Sequence, residues 1–346
     1  MRRGAAVILA AALGVVALGG PASADRSGRG SFGSTKKQGS GNADTEKGTV
    51  SATAGVQFDT SANGKPGEGR PVGPLTPVGN WTPPACWYQP TYTPKQMKAE
   101  SETVWAENSP SEEWKQQQRD RYQNGKPYKD FNLDQQGKGY FWEGYSPPEN
   151  ASMPGANSCD DEPFWVPIGA PPPPGHKNAV TPAVLAELAY REILIPQGKA
   201  LLNPAGVQTV NVPTWVWMDA TTFKPVSVRA YLPGQGVEAT TTATPVSMRV
   251  DPGTADARLY PASGTCAMNA DGSLGTPYSG DASAAPPCGV TYLRSTDGGG
   301  PFELTVTVTW RISWTGTGQA TPKALPTGRF GTPQEVTVRE IQTVNR

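Results

Sequence analysis

The sequence predicts a mainly β protein. Its C-terminal half reads as an antiparallel sandwich, preceded by a small, aromatic-rich, partly helical domain closed by a disulfide, and by a disordered N-terminal spacer. Three observations carry this. Across residues 302–315 apolar and polar side chains alternate without a break, and period two places one face on a core and the other in water. About seven β-prone segments separated by turn residues follow Trp215, the pattern of an antiparallel sandwich. The four cysteines, Cys86, Cys159, Cys266 and Cys288, fall two to each of two compositional blocks.

At the N-terminus Arg2 and Arg3 precede an apolar run, and Ala22-Ser23-Ala24 supplies small residues at the positions signal peptidase reads. The pattern is a secretory signal over residues 1–24, cleaved after Ala24. The run is shorter than the ~20 residues a membrane span needs, so no transmembrane segment is expected in the mature chain. Removing Arg2 and Arg3 from the 30 basic residues leaves 28 against 30 acidic ones. No basic patch stands out, so nucleic acid is not an expected partner. Export makes paired disulfides the default state of the cysteines. Four cysteines allow three pairings. Cys86–Cys159 and Cys266–Cys288 keep each bridge within one block, with loop-entropy contributions of about 4 and about 3 kcal/mol.

Residues 25–79 are rich in Gly, Ser, Lys, Thr and Pro, too few aliphatics to offset ordering entropy, and read as a disordered linker. Gly28-Arg29-Gly30-Ser31-Phe32-Gly33 matches a dinucleotide fingerprint by letter, but no strand precedes it and no helix follows. No phosphate-binding loop motif occurs, so no nucleotide and no other cofactor is expected.

Residues 80–168 form the aromatic-rich domain. Thr93-Pro94-Lys95-Gln96 reads as a capping box with Pro at the first helical position, and Ser109-Pro110-Ser111-Glu112 repeats it. The remainder reads as loop stapled by aromatic rings. So many rings fit either a sugar or peptide platform or the core of a domain poor in Leu and Ile, and the core is the commoner use. Residues 169–212 hold a four-proline hinge and a third helix, started by Thr181-Pro182, striped with Val184, Leu185 and Leu188, and ended by Pro196. Residues 213–346 form the sandwich. Its candidate strands are 215–218, 226–232, 236–244, 246–250, 289–295, 302–315 and 335–344. Pro245 marks a bend between two strands, and a change of parity marks a bulge near Glu340.

Chemistry-bearing residues are sparse. His176 is the only histidine, and it follows four prolines in what reads as an exposed hinge, a poor place for a general base. Asp160, Asp161 and Glu162, with Asp130, Asp134 and Glu143, could furnish a glycosidase carboxylate pair, though a solvated acidic loop is commoner. Asp251, Asp256 and Asp271 could offer oxygen to calcium, but Asn269-Ala270-Asp271-Gly272 lacks a distal Glu and reads as a turn. No C-x-x-C spacing supports zinc. No catalytic, metal-ligating or ligand-binding residue is therefore assigned.

Several C-terminal motifs resemble a group of exported actinobacterial proteins that carry a divergent PKD-like (polycystic-kidney-disease-type), immunoglobulin-like domain. The residues are Leu185-Ala186-Glu187-Leu188-Ala189, Val212-Pro213-Thr214-Trp215-Val216-Trp217, Cys288-Gly289-Val290-Thr291-Tyr292 and Thr309-Trp310-Arg311-Ile312-Ser313-Trp314. Trp81-Thr82-Pro83-Pro84-Ala85-Cys86-Trp87-Tyr88 is similar to the N-terminal part of such proteins. PKD-like domains usually carry a G-D-G turn where this chain has Asp251-Pro252-Gly253-Thr254. The resemblance implies a fold and an extracellular or envelope location rather than a reaction. The expected function is a secreted, non-enzymatic extracellular or cell-envelope protein, its sandwich a structural spacer or protein-interaction module with an unknown protein or cell-wall partner. The alternatives are a secreted carbohydrate binder or glycoside hydrolase using residues 80–168, and an accessory component of an envelope-spanning secretion or pilus-type machine.

Overall fold

The structure is a computed structural model and describes residues 55–66, 72–196, 198–218, 223–280 and 284–341. The expected signal segment, its cleavage point at Ala24 and the first thirty residues of the expected linker lie outside the described residues.

The N-terminal segment supplies β1 (Gln57–Asp59), β2 (Val72–Pro74) and β3 (Thr76–Pro77). This corrects the reading of residues 55–66 and 72–79 as disordered spacer. Their composition is poor in core formers, and the order comes from main-chain pairing with distant strands. Next come β4 (Trp87–Tyr92), α1 (Pro94–Ala106), α2 (Glu112–Tyr122), β5 (Gly139–Tyr145), β6 (Phe164–Pro167) and α3 (Pro182–Arg191). Then follow β7 (Leu194–Pro196), β8 (Leu201–Asn203), β9 (Gln208–Thr209), β10 (Pro213–Trp217), β11 (Val226–Leu232) and β12 (Val237–Asp251). The chain finishes with β13 (Ala257–Tyr260), β14 (Thr265–Ala267), β15 (Gly289–Tyr292), β16 (Phe302–Gly316), β17 (Gln319–Val336) and β18 (Val338–Arg339).

The described residues divide into two compact units, one containing Gln96–Leu133 and the other containing the described residues of 55–95 and of 134–341. In the first, α2 starts at Ser111, whose Oγ accepts the Trp114 backbone N–H at 3.2 Å. The cap is therefore Ser111 rather than Ser109, because Pro110 falls before the helix. Lys115 Nζ donates to the Glu107 carbonyl at 2.8 Å and to Glu112 Oε1 at 2.9 Å, tying α2 to the chain leaving α1. Arg119 sits over the Trp105 ring, which meets Phe131. Asp130, Phe131 and Asn132 all take positive φ, 42°, 55° and 55°, a left-handed turn that costs L-residues energy and is held by burial of the Phe131 ring.

The second unit is built on a seven-stranded antiparallel sheet ordered β1-β11-β12-β16-β17-β3, with β14 also pairing β12. A four-stranded sheet, β13-β15-β10-β8, forms the second layer. β16 is fully alternating: Phe302, Leu304, Val306, Val308, Trp310, Ile312 and Trp314 are buried and the intervening residues are not. β12 is one strand where two were expected. Pro245 lacks an N–H for the ladder, and a bulge between Pro245 and Ser247 absorbs it while pairing with β16 continues on both sides. At that bulge the other neighbour of β12 changes from β11, paired up to Ala243, to β14, paired from Ser247.

Two different layers cover the long strands. Toward Phe302 the cover is the four-stranded sheet: Tyr292 of β15 stacks on Phe302 at 5.4 Å. Gly275 is positive-φ, and a Cβ there would lie 2.5 Å from the Val216 carbonyl oxygen and 2.6 Å from Met248 Cε. Cys266 on β14 is bonded to Cys288 beside β15, Cα–Cα 5.8 Å, so a disulfide joins the layers. Toward Trp314 the cover is α3. It starts at Thr181, whose Oγ1 accepts the Val184 N–H, and buries Leu185, Ala186, Leu188 and Ala189. Small residues on the sheet, Ala230, Ala239 and Ala243, are buried beneath it, and the buried Thr241 hydroxyl donates to the Ala186 carbonyl at 2.8 Å. The helix ends at Arg191 rather than Pro196, because Leu194–Pro196 pairs as β7 with β2.

Beyond β16 the chain returns as β17, a strand the sequence hides with Pro322, Pro326, Pro333, Gly328 and Gly331. Proline is tolerated on an edge strand, where its missing donor faces away from the ladder. Of the strand expected over 335–344, the described part is the end of β17 and the short β18, which pairs in parallel with β9; residues 342–344 lie outside the described residues. Val336 and Val338 keep one parity, β18 ends at Arg339 and Ile341 is exposed, so the change of parity marks the end of the strand and not a bulge at Glu340.

A third sheet, β4-β5-β6, occupies part of the region expected as aromatic-stapled loop. Its Trp87, Tyr88, Trp142, Phe164 and Val166 belong to the same contiguous core as α3 and the sandwich.

Candidate functional site

The densest grouping of chemistry-bearing residues lies where the Cys159 arm meets β4 and the chain after the prolines. Cys86, just before β4, is bonded to Cys159, Cα–Cα 5.9 Å. The Ala85 carbonyl beside it accepts from Asn150 Nδ2 at 2.8 Å and from Ser146 Oγ at 3.2 Å. Gly144 of β5 must lack a side chain here, since a Cβ would lie 2.0 Å from the Cys159 carbonyl oxygen. From this anchored cysteine the chain runs through Asp160, Asp161 and Glu162 into β6.

Main-chain bonds hold the post-proline segment to β4: Tyr88 N–H donates to the Asn178 carbonyl and Val180 N–H to the Tyr88 carbonyl. Asn178 Nδ2 donates to the Cys86 carbonyl at 3.2 Å. His176 is thereby brought flat onto Phe164, ring centroids 3.6 Å apart and 8° from parallel, with the Tyr88 edge at 5.7 Å. Its Nδ1 lies 2.7 Å from Asp161 Oδ2. The Tyr88 hydroxyl accepts the Asp161 backbone N–H at 3.0 Å, and burial pushes that phenol up to about 12.

This corrects the reading of His176 as a residue of an exposed hinge: it is half-buried and has an orienting carboxylate. Fifteen residues separate the pair, and the disulfide together with the Tyr88–Asn178 bond closes the gap, neither of which local sequence reports. Among the described residues no Ser or Thr hydroxyl is hydrogen-bonded to His176. The arrangement orients an imidazole and fastens two loops; it is not a Ser-His-Asp array.

The other carboxylates are dispersed. Glu143 accepts from the Tyr92 hydroxyl at 3.1 Å. Asp134 is exposed and accepts from the side-chain amide of its neighbour Gln135. Asp130 belongs to the left-handed turn. Of the residues considered for calcium, Asp256 accepts from Arg294 Nε at 2.7 Å, Asp251 from Gly253 N–H, and Asp271 from Ser273 N–H and Oγ. Those Ser273 bonds hold the Asp271 carboxyl below its ordinary range. Among the described residues no three His, Cys, Asp or Glu side chains form a metal-holding group.

The tryptophans bear on platform against core. All ten lie among the described residues and none is exposed. Trp87, Trp114 and Trp142 are 2%, 4% and 3% accessible, and Trp105 and Trp165 are half-buried. Trp87 Nε1 donates to Gln89 Oε1 at 2.9 Å, and Arg191 lies over the same ring.

One titratable group was not singled out by its sequence context. Burial pushes the Glu187 carboxyl on α3 above its ordinary range, with no hydrogen bond or neighbouring charge opposing the shift. With the folded value raised, the native state holds the extra proton between the ordinary and raised values, so stability falls as pH rises through that window. Glu187→Gln is expected to raise the urea midpoint at pH 7 and to leave it unchanged at pH 3, below the carboxylate range. A lower midpoint at pH 7 would contradict this.

No family model, curated protein or solved structure matches the chain.

Proposed function

We propose that the chain is a secreted, non-enzymatic extracellular or cell-envelope protein whose PKD-like sandwich serves as a structural spacer or protein-interaction module. The observation that carries this reading is the burial of the aromatic rings that would otherwise form a sugar platform. Stacking platforms for sugars need exposed ring faces, and here the rings fill the core of a unit with few large aliphatics. The two disulfides support an oxidising compartment. Of the carboxylates a glycosidase would pair, Glu143 accepts from Tyr92, Asp134 from Gln135, and Asp161 lies against His176.

Two measurements on the chain expressed with its leader test the proposal. The protein is expected outside the cytoplasm with all four cysteines oxidised, and titration with peptidoglycan fragments and soluble glycans is expected to leave its tryptophan fluorescence unchanged. Recovery in the cytoplasm with free thiols would overturn the location. Saturable fluorescence change with a glycan would overturn the non-enzymatic, non-lectin assignment in favour of a carbohydrate-active one.

A further inference from the structure

The two outermost strands of the seven-stranded sheet, β1 and β3, both come from residues 55–78. β1 covers the edge of β11, with Gln57, Phe58 and Asp59 opposite Tyr231, Ala230 and Arg229. β3 covers β17, with Thr76 and Pro77 opposite Arg329 and Gly328. Val78 N–H extends this contact by donating to the Thr327 carbonyl at 2.8 Å. The strands between, β11, β12, β16 and β17, are paired with one another over residues 226–336 and form a sheet without the N-terminal segment.

An uncovered edge presents free N–H and C=O groups to any extended chain. On β17 the length outside the β3 contact carries Pro322, Pro326 and Pro333, which remove donors. Pro326 and Pro333 bracket the stretch 327–332 that holds the β3 contact. The segment itself puts little into the core. Among its described residues Leu75 is the one buried apolar side chain, and Val56 and Phe58 pack partly against the core. β2 pairs with β7, Gly64 N–H donates to the Leu194 carbonyl, and Asn63 donates to the Glu192 carbonyl and accepts the Leu194 N–H. The hold is thus mainly main-chain pairing with three strands, plus side-chain anchors, the physics of strand addition.

We propose that β1, β2 and β3, with the described residues 55–66 and 72–78 that carry them, are a separable edge cap, and that the edges of β11, β7 and β17 they pair with are acceptor sites for the same strands of a second copy of this chain. In one copy the tether holds the segment at an effective concentration on the order of millimolar, so the closed form prevails at micromolar protein. A copy lacking its own segment offers these edges to another's. This inference stands independently of where the protein resides and of the aromatic core.

The test uses the full chain with a site-specific protease sequence inserted between Gly79 and Asn80, two exposed residues, and cut after folding. The probe is a fluorescent peptide spanning residues 55–78. It is expected to exchange saturably into the cut protein, to be competed by unlabelled peptide, and to bind uncut protein at least about a hundredfold less. A peptide carrying Phe58→Asp and Leu75→Asp is expected to bind at least about tenfold more weakly than the unmodified one. Failure of the peptide to exchange during prolonged incubation would overturn the proposal. Collapse of the near-ultraviolet spectrum as the cut segment leaves would also overturn it, since the segment would then be part of the folding core rather than a cap.

Discussion

Trp310→Ala is expected to lower stability by about 3–5 kcal/mol, the range for removing a large buried aromatic side chain. Trp310 has no accessible surface and sits in the middle of β16, between Pro245 on β12 and Gly328 on β17, with Phe223 at 6.3 Å. It marks the position on β16 between the part stacked with Tyr292 and the part beneath α3. Its indole N–H has no hydrogen-bond partner among the described residues. Trp310→Phe therefore gives up packing but also removes an unpaired buried donor, and is expected to cost less than half as much as the alanine variant. Urea unfolding with an unchanged m-value checks both. A loss below about 1 kcal/mol for Trp310→Ala would mean the ring is not core.

Removing the Cys86–Cys159 bridge by paired Cys→Ala substitution is expected to cost about 4 kcal/mol, and removing Cys266–Cys288 about 3 kcal/mol, from loop lengths set by separations of 73 and 22 residues. The first bridge fixes more than chain entropy. It holds the arm on which Asp161 meets His176 and Tyr88, so its loss frees that arm and the segment after the prolines together. The checking measurement is the non-reducing urea midpoint of each double variant. A larger loss for the Cys266–Cys288 pair would contradict this ordering.

What could be read from the sequence, and what could not, follows from where each signal resides. β16 and β11 were legible because one face of each is wet and the other dry, so the pleat is written into the residue order. α3 was legible from Thr181-Pro182 and its apolar stripe. The cysteine pairing by block coincides with the bonds formed. β17 was hidden because its prolines and glycines imitate a loop, and only the presence of β16 beside it makes it a strand. β1, β2 and β3 are two or three residues long, too short for any periodicity, and owe their order to partners more than a hundred residues away. β5 and β6 were hidden among aromatic residues that carry no alternation. His176 and Asp161 each looked solvated because their contact depends on the disulfide and on the Tyr88–Asn178 pairing. The contacts of Glu143 with Tyr92 and of Asp134 with Gln135 are likewise absent from any local sequence pattern.

The reading of this protein depends on its indoles being interior. Hydroxyl-radical footprinting of the native, oxidised chain with mass spectrometry tests that most directly. Trp87, Trp142, Trp215, Trp310 and Trp314 are expected to react far more slowly in the folded protein than after unfolding and reduction. Native-state oxidation of Trp87 and Trp142 at the unfolded rate would contradict the account and return these rings to the surface as a binding platform.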